Sequence, residues 1–294
     1  MKIAKMFEKG TVYSFEVFPP KKTSPVDTIL KTLNGLKDLN PDFISVTYGA
    51  GGSIANNETC RIADLIKNKY GIEAVAHLTC AELSKADVNI VLSDLEKIGI
   101  KNVLALRGDK IPEDKSQQSF VYASDLVSYI IEKTKNSPNG SFDICGACYP
   151  EVHFEAEDAV EDIHNLKKKV DAGASYLISQ LFFDNSKYYD FIERARIGGI
   201  NVPIAAGIMP VVKKSQIERI VSMCGASLPP KFVKTMQRFE DNPDALRDAG
   251  IAYAVDQIVD LVSNGVDGIH LYTMNNPYVA RKITESVESI VRSK

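Results

Sequence analysis

The chain has 294 residues, 45% hydrophobic and 25% charged, which is enough apolar material for a sizeable core and far from a disordered or fibrous composition. Its 35 Lys and Arg are outnumbered by 38 Asp and Glu, a net charge of −3, so no surplus of positive charge exists to grip a nucleic-acid backbone. No segment reaches the ~20 consecutive apolar residues of a membrane span, and residues 1–10 lack the apolar run of a signal peptide, so a cytoplasmic location is expected.

Short β-rich runs alternate with amphipathic stretches along almost the whole sequence. A strand over 12–18 leads into a helix over 26–39; strand 43–47 precedes helix 58–69, strand 74–78 precedes 86–98, and strand 103–106 precedes 124–135. Strands five to seven, over 142–148, 176–182 and 202–206, are followed by helices over 157–172, 188–195 and 216–224. Residues 227–264 are too long for one connection and hold two more helices, parted near Asn242 and Pro243. An eighth strand over 268–272 and a helix over 277–291 end the series, and Gly71, Gly99, Gly173 and Gly265 suit left-handed helix C-caps. Parallel neighbours need helical crossovers. Eight strand-then-helix units therefore predict an α/β fold, a (β/α)8 TIM barrel with extra helices between strands seven and eight, as one domain over 1–294. A doubly wound open sheet is the alternative.

Five cysteines, Cys60, Cys80, Cys145, Cys148 and Cys224, are an odd and scattered set that argues for reduced thiols. Cys145 and Cys148 have a redox spacing but lie in a strand, where residues three apart face opposite ways, so buried inert thiols are expected. The four histidines form no compact ligand cluster, and no metal is expected.

Barrel enzymes bind at the C-terminal ends of their strands, so polar residues there are candidates. In strand one, Tyr13, Phe15 and Val17 form an apolar face toward the helices, which turns Ser14, Glu16 and Phe18 inward. Glu16 then stands at the barrel mouth, either as a partly desolvated acid able to donate a proton or as a carboxylate paired with a base. Strand two runs into Thr47 and a glycine loop, Gly49 to Ser53, that is either a phosphate cradle or a plain turn. His77 ends strand three and His153 follows strand five, each a ligand contact or a structural residue. Strand four ends in Arg107, Gly108 and Asp109, strand six in Gln180, and strand eight in His270 and Tyr272. On the helix after strand five, Asp162, Asn165 and Lys169 share a face with Lys168 alongside, by default a solvated face.

The motifs in combination resemble the flavin-dependent methylenetetrahydrofolate reductases in their short bacterial form: Ser-Phe-Glu-Val-Phe-Pro-Pro at 14–20, Ser-Val-Thr-Tyr-Gly-Ala at 45–50, Ala-His-Leu-Thr-Cys at 76–80, Ala-Leu-Arg-Gly-Asp at 105–109, Tyr-Ala-Ser-Asp-Leu at 122–126, Tyr-Pro-Glu-Val-His at 149–153, Lys-Val-Asp-Ala-Gly-Ala at 169–174, Gln-Leu-Phe-Phe-Asp at 180–184 and Gly-Ile-Met-Pro at 207–210. The resemblance implies a barrel that holds FAD, takes hydride from NADH or NADPH, and reduces 5,10-methylenetetrahydrofolate to 5-methyltetrahydrofolate in a ping-pong cycle of one-carbon metabolism that supplies methionine. It implies that Thr47, His77, Arg107, Gly108, Asp109, Tyr122, Ala123, Tyr149, His153, Asp162, Asn165, Lys168 and Lys169 surround FAD. It also makes Glu16 and Asp109 catalytic, Glu16 as the acid that opens the folate ring, with Gln180, Gln216 and Tyr272 on the substrate. Three residues depart from the pattern. Lys168 stands where the family often has Arg, Ile220 where many relatives have a Phe that stacks on either substrate, and Asn276 where they have Arg. Lys168 implies a weaker bidentate phosphate contact, and Ile220 and Asn276 leave the electron donor open; a homo-oligomer or partner redox subunit stays open as well, with a flavin-holding subunit or a proline dehydrogenase-like barrel as the alternatives.

Overall fold

The computed structural model describes residues 1–20, 27–48, 58–81, 83–108, 119–138, 140–217, 220 and 226–293. Asp109, Val26, the Gly49 to Ser53 loop and Cys224 lie outside the described residues. Eight strands pair in parallel with their neighbours in chain order: β1 Val12–Val17, β2 Phe43–Val46, β3 Glu73–Thr79, β4 Asn102–Leu106, β5 Asp143–Cys148, β6 Tyr176–Ser179, β7 Ile204–Ile208 and β8 Gly268–Tyr272. β8 returns to β1, which closes the barrel and disposes of the open-sheet alternative.

Helices cover the outside: α1 Asp27–Leu36, α2 Glu58–Asp64, α3 Lys85–Lys97, α4 Ala123–Thr134, α5 Ala159–Asp171 and α6 Asn185–Ile197. Between β7 and β8 stand the two expected extra helices, α7 Pro230–Phe239 and α8 Pro243–Ser263, and α9 Pro277–Val291 follows β8. Each of these three has Pro in its first turn, where a missing N–H costs nothing. Of the helix expected over 216–224, residues 216, 217 and 220 are helical, with the helix already begun at 214, and the remainder lies outside the described residues.

Seven of the eight strands differ from the sequence reading at one end or both, five of them by a single residue at an end and β6 and β7 by more. β7 starts at Ile204, later than residue 202, because Pro203 has no N–H for the ladder. β6 stops at Ser179, where Leu181 N turns to donate to the Gln180 side chain.

The period-two reading of β1 holds. Tyr13, Phe15 and Val17 join the layer between strands and helices with Leu33, Ile283 and Val287, and the Tyr13 hydroxyl meets Thr284 Oγ1 at 2.9 Å. Inside the barrel, Val12, Phe43, Val75, Leu104, Cys145, Tyr176, Ile178 and Ala205 form an apolar base. A 3₁₀ helix over Ile3–Lys9, which the sequence reading did not anticipate, closes that base with Ile3. Cys145 belongs to the interior and Cys148 to the outer layer, so the pair faces opposite ways, and burial pushes both thiols well up. The inserted helices bury a satellite core with Leu181, Phe183, Val211, Phe232, Met236 and Leu246. Gly250 of α8 lies on the Val211 carbonyl, with its would-be Cβ 1.9 Å from that oxygen, a contact only glycine permits. Among the described residues no helix is long and apolar enough to cross a membrane.

Candidate active site

Above the apolar base the interior turns polar. Glu16 projects from the C-terminal half of β1, its side chain 19% exposed, in register with Ser45 of β2 and Tyr272 of β8. Two imidazoles approach the same carboxyl oxygen: His77 Nε2 of β3 stands 3.6 Å and His270 Nε2 of β8 3.9 Å from Glu16 Oε2. His77 is buried, and its Nε2 has no hydrogen-bond partner among the described residues. Burial lowers its imidazole to about 4, against the opposing pull of the Glu16 carboxylate and with the help of His270.

The backbone around Glu16 is clamped from the loop after β8. Thr273 Oγ1 donates to Glu16 O at 2.6 Å, and the Asn275 side chain brackets the Phe18 peptide, accepting from its N at 3.0 Å and donating to its O at 2.8 Å. Met274 and Asn275 adopt φ of 50° and 53°, left-handed conformations that side-chain-bearing residues hold only when their surroundings require it. Asn276 ends this loop as the N-cap of α9, its Oδ1 accepting from Val279 N at 3.3 Å, which gives this departure a structural task.

Tyr272 is tied down across the mouth. Its hydroxyl donates to Ser179 O at 2.7 Å, and the space beside it exists because position 207 is glycine, whose Cβ would fall 2.2 Å from that same carbonyl. Gln180, on the mouth side of β6, spends its Oε1 on Leu181 N at 2.9 Å, which leaves its amide donors for a ligand. Gln216 likewise accepts from Val212 N at 2.9 Å. Ile220 is buried in the satellite core under the inserted helices.

A second group of residues lines the rim beyond β3, β4 and β5. Thr47 closes β2, with its N donating to Val17 O at 3.0 Å. Arg107 reaches across to an ion pair with Glu155, which holds its guanidinium further toward the charged form. Gly108 takes φ of 89°. Tyr122, followed by Ala123 at the start of α4, is 61% exposed, and Phe154, stacked on His153 at 4.6 Å, is 73% exposed. Tyr149 meets the His153 ring edge-on at 4.6 Å, and Val152 between them is held at φ 70°, unusual for a β-branched residue.

The helix after β5 is not simply the solvated face that is its default reading. Asn165 and Lys168 are exposed and bonded to each other, Nζ to Oδ1, at 3.1 Å. Asp162 accepts from His153 N at 3.2 Å and is raised by desolvation, while Lys169 passes under the helix across Gly146 to donate to Ala147 O at 2.6 Å and is lowered by desolvation. Arg194 of α6 braces the same loop through Pro150 O at 3.3 Å.

Sequence reasoning placed His270 at the end of strand eight and Ser14 on the inward face but gave neither a role, and it missed Ser45 together with the Thr273 and Asn275 clamp. The available signal was period two: Ser14 shares the inward face with Glu16, and His270 shares it with Tyr272.

A carboxyl group at the C-terminal mouth of a (β/α)8 barrel, held over histidines and hydroxyls with a broad polar rim beside it, defines the class: a barrel enzyme with its chemistry at the strand ends. Comparison with known proteins sharpens that class. The methylenetetrahydrofolate reductase family matches residues 2–288. The 5,10-methylenetetrahydrofolate reductase of Pectobacterium carotovorum is 36% identical, covering 93% of this chain and 89% of its own, and that of Escherichia coli is 35% identical, covering 93% and 90%. An uncharacterized protein from Clostridium thermocellum, solved with two copies of 5-methyl-5,6,7,8-tetrahydrofolic acid, shares the fold at a TM-score of 0.64 and 13% identity, covering 97% of this chain and 98% of its own. The chain belongs to the methylenetetrahydrofolate reductase family and is an oxidoreductase of folate one-carbon metabolism.

Proposed function

We propose that this chain reduces 5,10-methylenetetrahydrofolate to 5-methyltetrahydrofolate with bound FAD as hydride carrier and NADH or NADPH as donor. The observation that carries the proposal is Glu16, held at the barrel mouth by the β8 clamp and approached on Oε2 by two histidine nitrogens. The imidazolidine ring of the substrate must open to an iminium before it accepts hydride, and opening requires a proton on the departing nitrogen. Glu16 supplies that proton. Tyr272 stands beside Glu16 in register, and Gln180 and Asp109, assigned by their motifs, recognise the pterin edge.

The rim suits FAD. The buried His77 Nε2 lacks a hydrogen-bond partner among the described residues and can take a polar atom, and Gly108 leaves the backbone bare where a Cβ would sit 3.1 Å from Thr79. Tyr122, Tyr149, His153 and Phe154 offer aromatic surface, while Arg107, Lys168 and Lys169 bring positive charge to a diphosphate. Thr47, Ala123, Asp162 and Asn165 complete the set. Bound there, FAD supplies reversible hydride storage, so that donor and folate take turns.

The test uses purified protein reconstituted with FAD and reduced anaerobically. NADH or NADPH should bleach the flavin, and methylenetetrahydrofolate should reoxidise it. Glu16→Gln should slow the folate half-reaction by ~10²- to 10⁴-fold and leave flavin reduction nearly unchanged. Protein that takes up no FAD, or a Glu16→Gln variant with undiminished folate reduction, would overturn the proposal. Folate turnover by the isolated chain separates an enzyme from a barrel that only holds flavin within a larger complex.

A further inference from the structure

The barrel interior just below Glu16 contains a fully buried histidine, His270 of β8, whereas β3, β4 and β6 contribute the apolar Val75, Leu104 and Ile178 to the interior. His270 stacks on Phe43 (centroids 5.8 Å, 24°) and meets Tyr272 edge-on (5.4 Å, 89°). Each of its nitrogens has a hydroxyl partner: Nδ1 lies 2.8 Å from Ser14 Oγ and Nε2 3.3 Å from Ser45 Oγ, both serines fully buried. Nε2 is also the atom 3.9 Å from Glu16 Oε2. For packing alone, an apolar side chain would fill this layer without burying three polar groups. The polar trio therefore calls for a task beyond packing, and the charge it adjoins is Glu16.

The hydroxyls give the ring two settings. Ser14 Oγ also lies 3.3 Å from Ile269 O. When Ser14 donates to that carbonyl, its oxygen accepts a hydrogen bond from Nδ1–H, and Nε2 accepts from Ser45. When Ser14 donates to Nδ1 instead, the ring proton sits on Nε2, on the side of Ser45 and Glu16. The change requires only hydroxyl rotation and exchange of the ring proton, with the heavy atoms in place.

We infer that His270, set by Ser14 and Ser45, is a positioning residue for Glu16: it holds the carboxyl at Oε2 and tunes how readily that group gives up and regains its proton. The inference rests on Glu16 being the acid proposed above. The other ionisable groups around Glu16 among the described residues are His77 from β3, whose Nε2 approaches the same oxygen, and Tyr272 from β8, whose hydroxyl is committed to Ser179 O. Arg107 at the end of β4 is paired with Glu155.

The experiment is a double-mutant cycle on the FAD-loaded, pre-reduced enzyme, following single-turnover flavin reoxidation by methylenetetrahydrofolate against pH in wild type, Glu16→Gln, His270→Phe and the double variant. His270→Phe should slow this step about tenfold and displace its pH profile by roughly half a unit or more, with flavin reduction by NADH or NADPH and the flavin spectrum unchanged. In the Glu16→Gln background the same change should cost less than about twofold, because the group it acts through is gone. His270→Gln, which keeps an N–H donor, should recover part of the rate, and it carries the same cycle if the Phe variant does not fold. In flavin-free protein the ¹⁵N resonances of His270 should move when Glu16 becomes Gln.

Equal slowing in both backgrounds, an unchanged pH profile, or unmoved ¹⁵N resonances would overturn the inference while leaving Glu16 as the acid. Undiminished folate reduction in Glu16→Gln would instead remove the acid assignment itself, and the inference with it.

Discussion

At the scale of single residues, His77 couples the site to stability. Its imidazole is lowered to about 4 by burial, whereas in the unfolded chain it titrates near 6.5. Between these values the unfolded state holds a proton that the folded state lacks, so stability rises with pH through the window and is lost as pH falls from 6.5 toward 4. Across pH 6.5 to 5 the loss is about 2 kcal/mol. Carboxylates held low by ion pairs, such as Glu73 with Lys67 and Asp38 with Arg281, act only below about pH 4.5, outside this window. Urea unfolding of flavin-free protein at pH 6.5 and pH 5 should therefore give a smaller difference in His77→Gln than in wild type. Equal slopes would mean that the buried ring does not resist protonation. His77 was legible as a strand-end residue from sequence, but the lack of a hydrogen bond to its Nε2 among the described residues was not, because the groups around it come from other strands.

Among the elements, the loop between β8 and α9 carries the clearest link from local chain chemistry to the acid. Two consecutive left-handed residues, Met274 and Asn275, cost roughly 1–2 kcal/mol each, and they persist because Asn275 makes two hydrogen bonds to Phe18 and Thr273 one to Glu16 O. Asn275→Ala removes both Phe18 bonds and leaves that peptide unpaired, for a loss of about 2 kcal/mol on unfolding. Flavin reoxidation by folate should slow several-fold while flavin reduction by its donor holds, and equal effects on the two half-reactions would show that the clamp does not act through Glu16. The bounds of β8 and α9 agree with the sequence reading because Gly268 and Pro277 punctuate them. The clamp was not legible, since Thr273 and Asn275 find Phe18 and Glu16 only after the barrel closes. The alternation of Tyr13, Phe15 and Val17 against Ser14 and Glu16 was local, and so the inward direction of Glu16 could be read without the fold.

For the whole molecule, the barrel divides stability from chemistry along its axis, with the site at the C-terminal strand ends and the 3₁₀ helix Ile3–Lys9 sealing the opposite end. That helix is held by side chains of the barrel floor: Asn102 Oδ1 accepts from Ile3 N at 3.3 Å, and Asp143 Oδ2 accepts from Ala4 N at 2.9 Å. Phe7 packs on Tyr176 with centroids 5.7 Å apart, and its ring lies against Gly268, where a Cβ would come within 3.0 Å. The sequence reading did not identify this plug, because its apolar residues Ile3, Met6 and Phe7 are too few to declare a periodic face, and their partners lie on β1 to β7. Ile3 is fully buried over the base, so Ile3→Ala removes buried methylenes from a site enclosed by strands that have little freedom to collapse, for a loss of about 2–5 kcal/mol. The melting temperature should fall by several degrees or more. The polar layer of Ser14, Ser45 and His270 separates this base from Glu16, so flavin affinity and the single-turnover folate rate, measured well below the melting transition, should stay within about twofold of wild type. A variant that keeps its melting temperature but loses folate reduction would mean instead that the plug communicates with the mouth through the barrel interior.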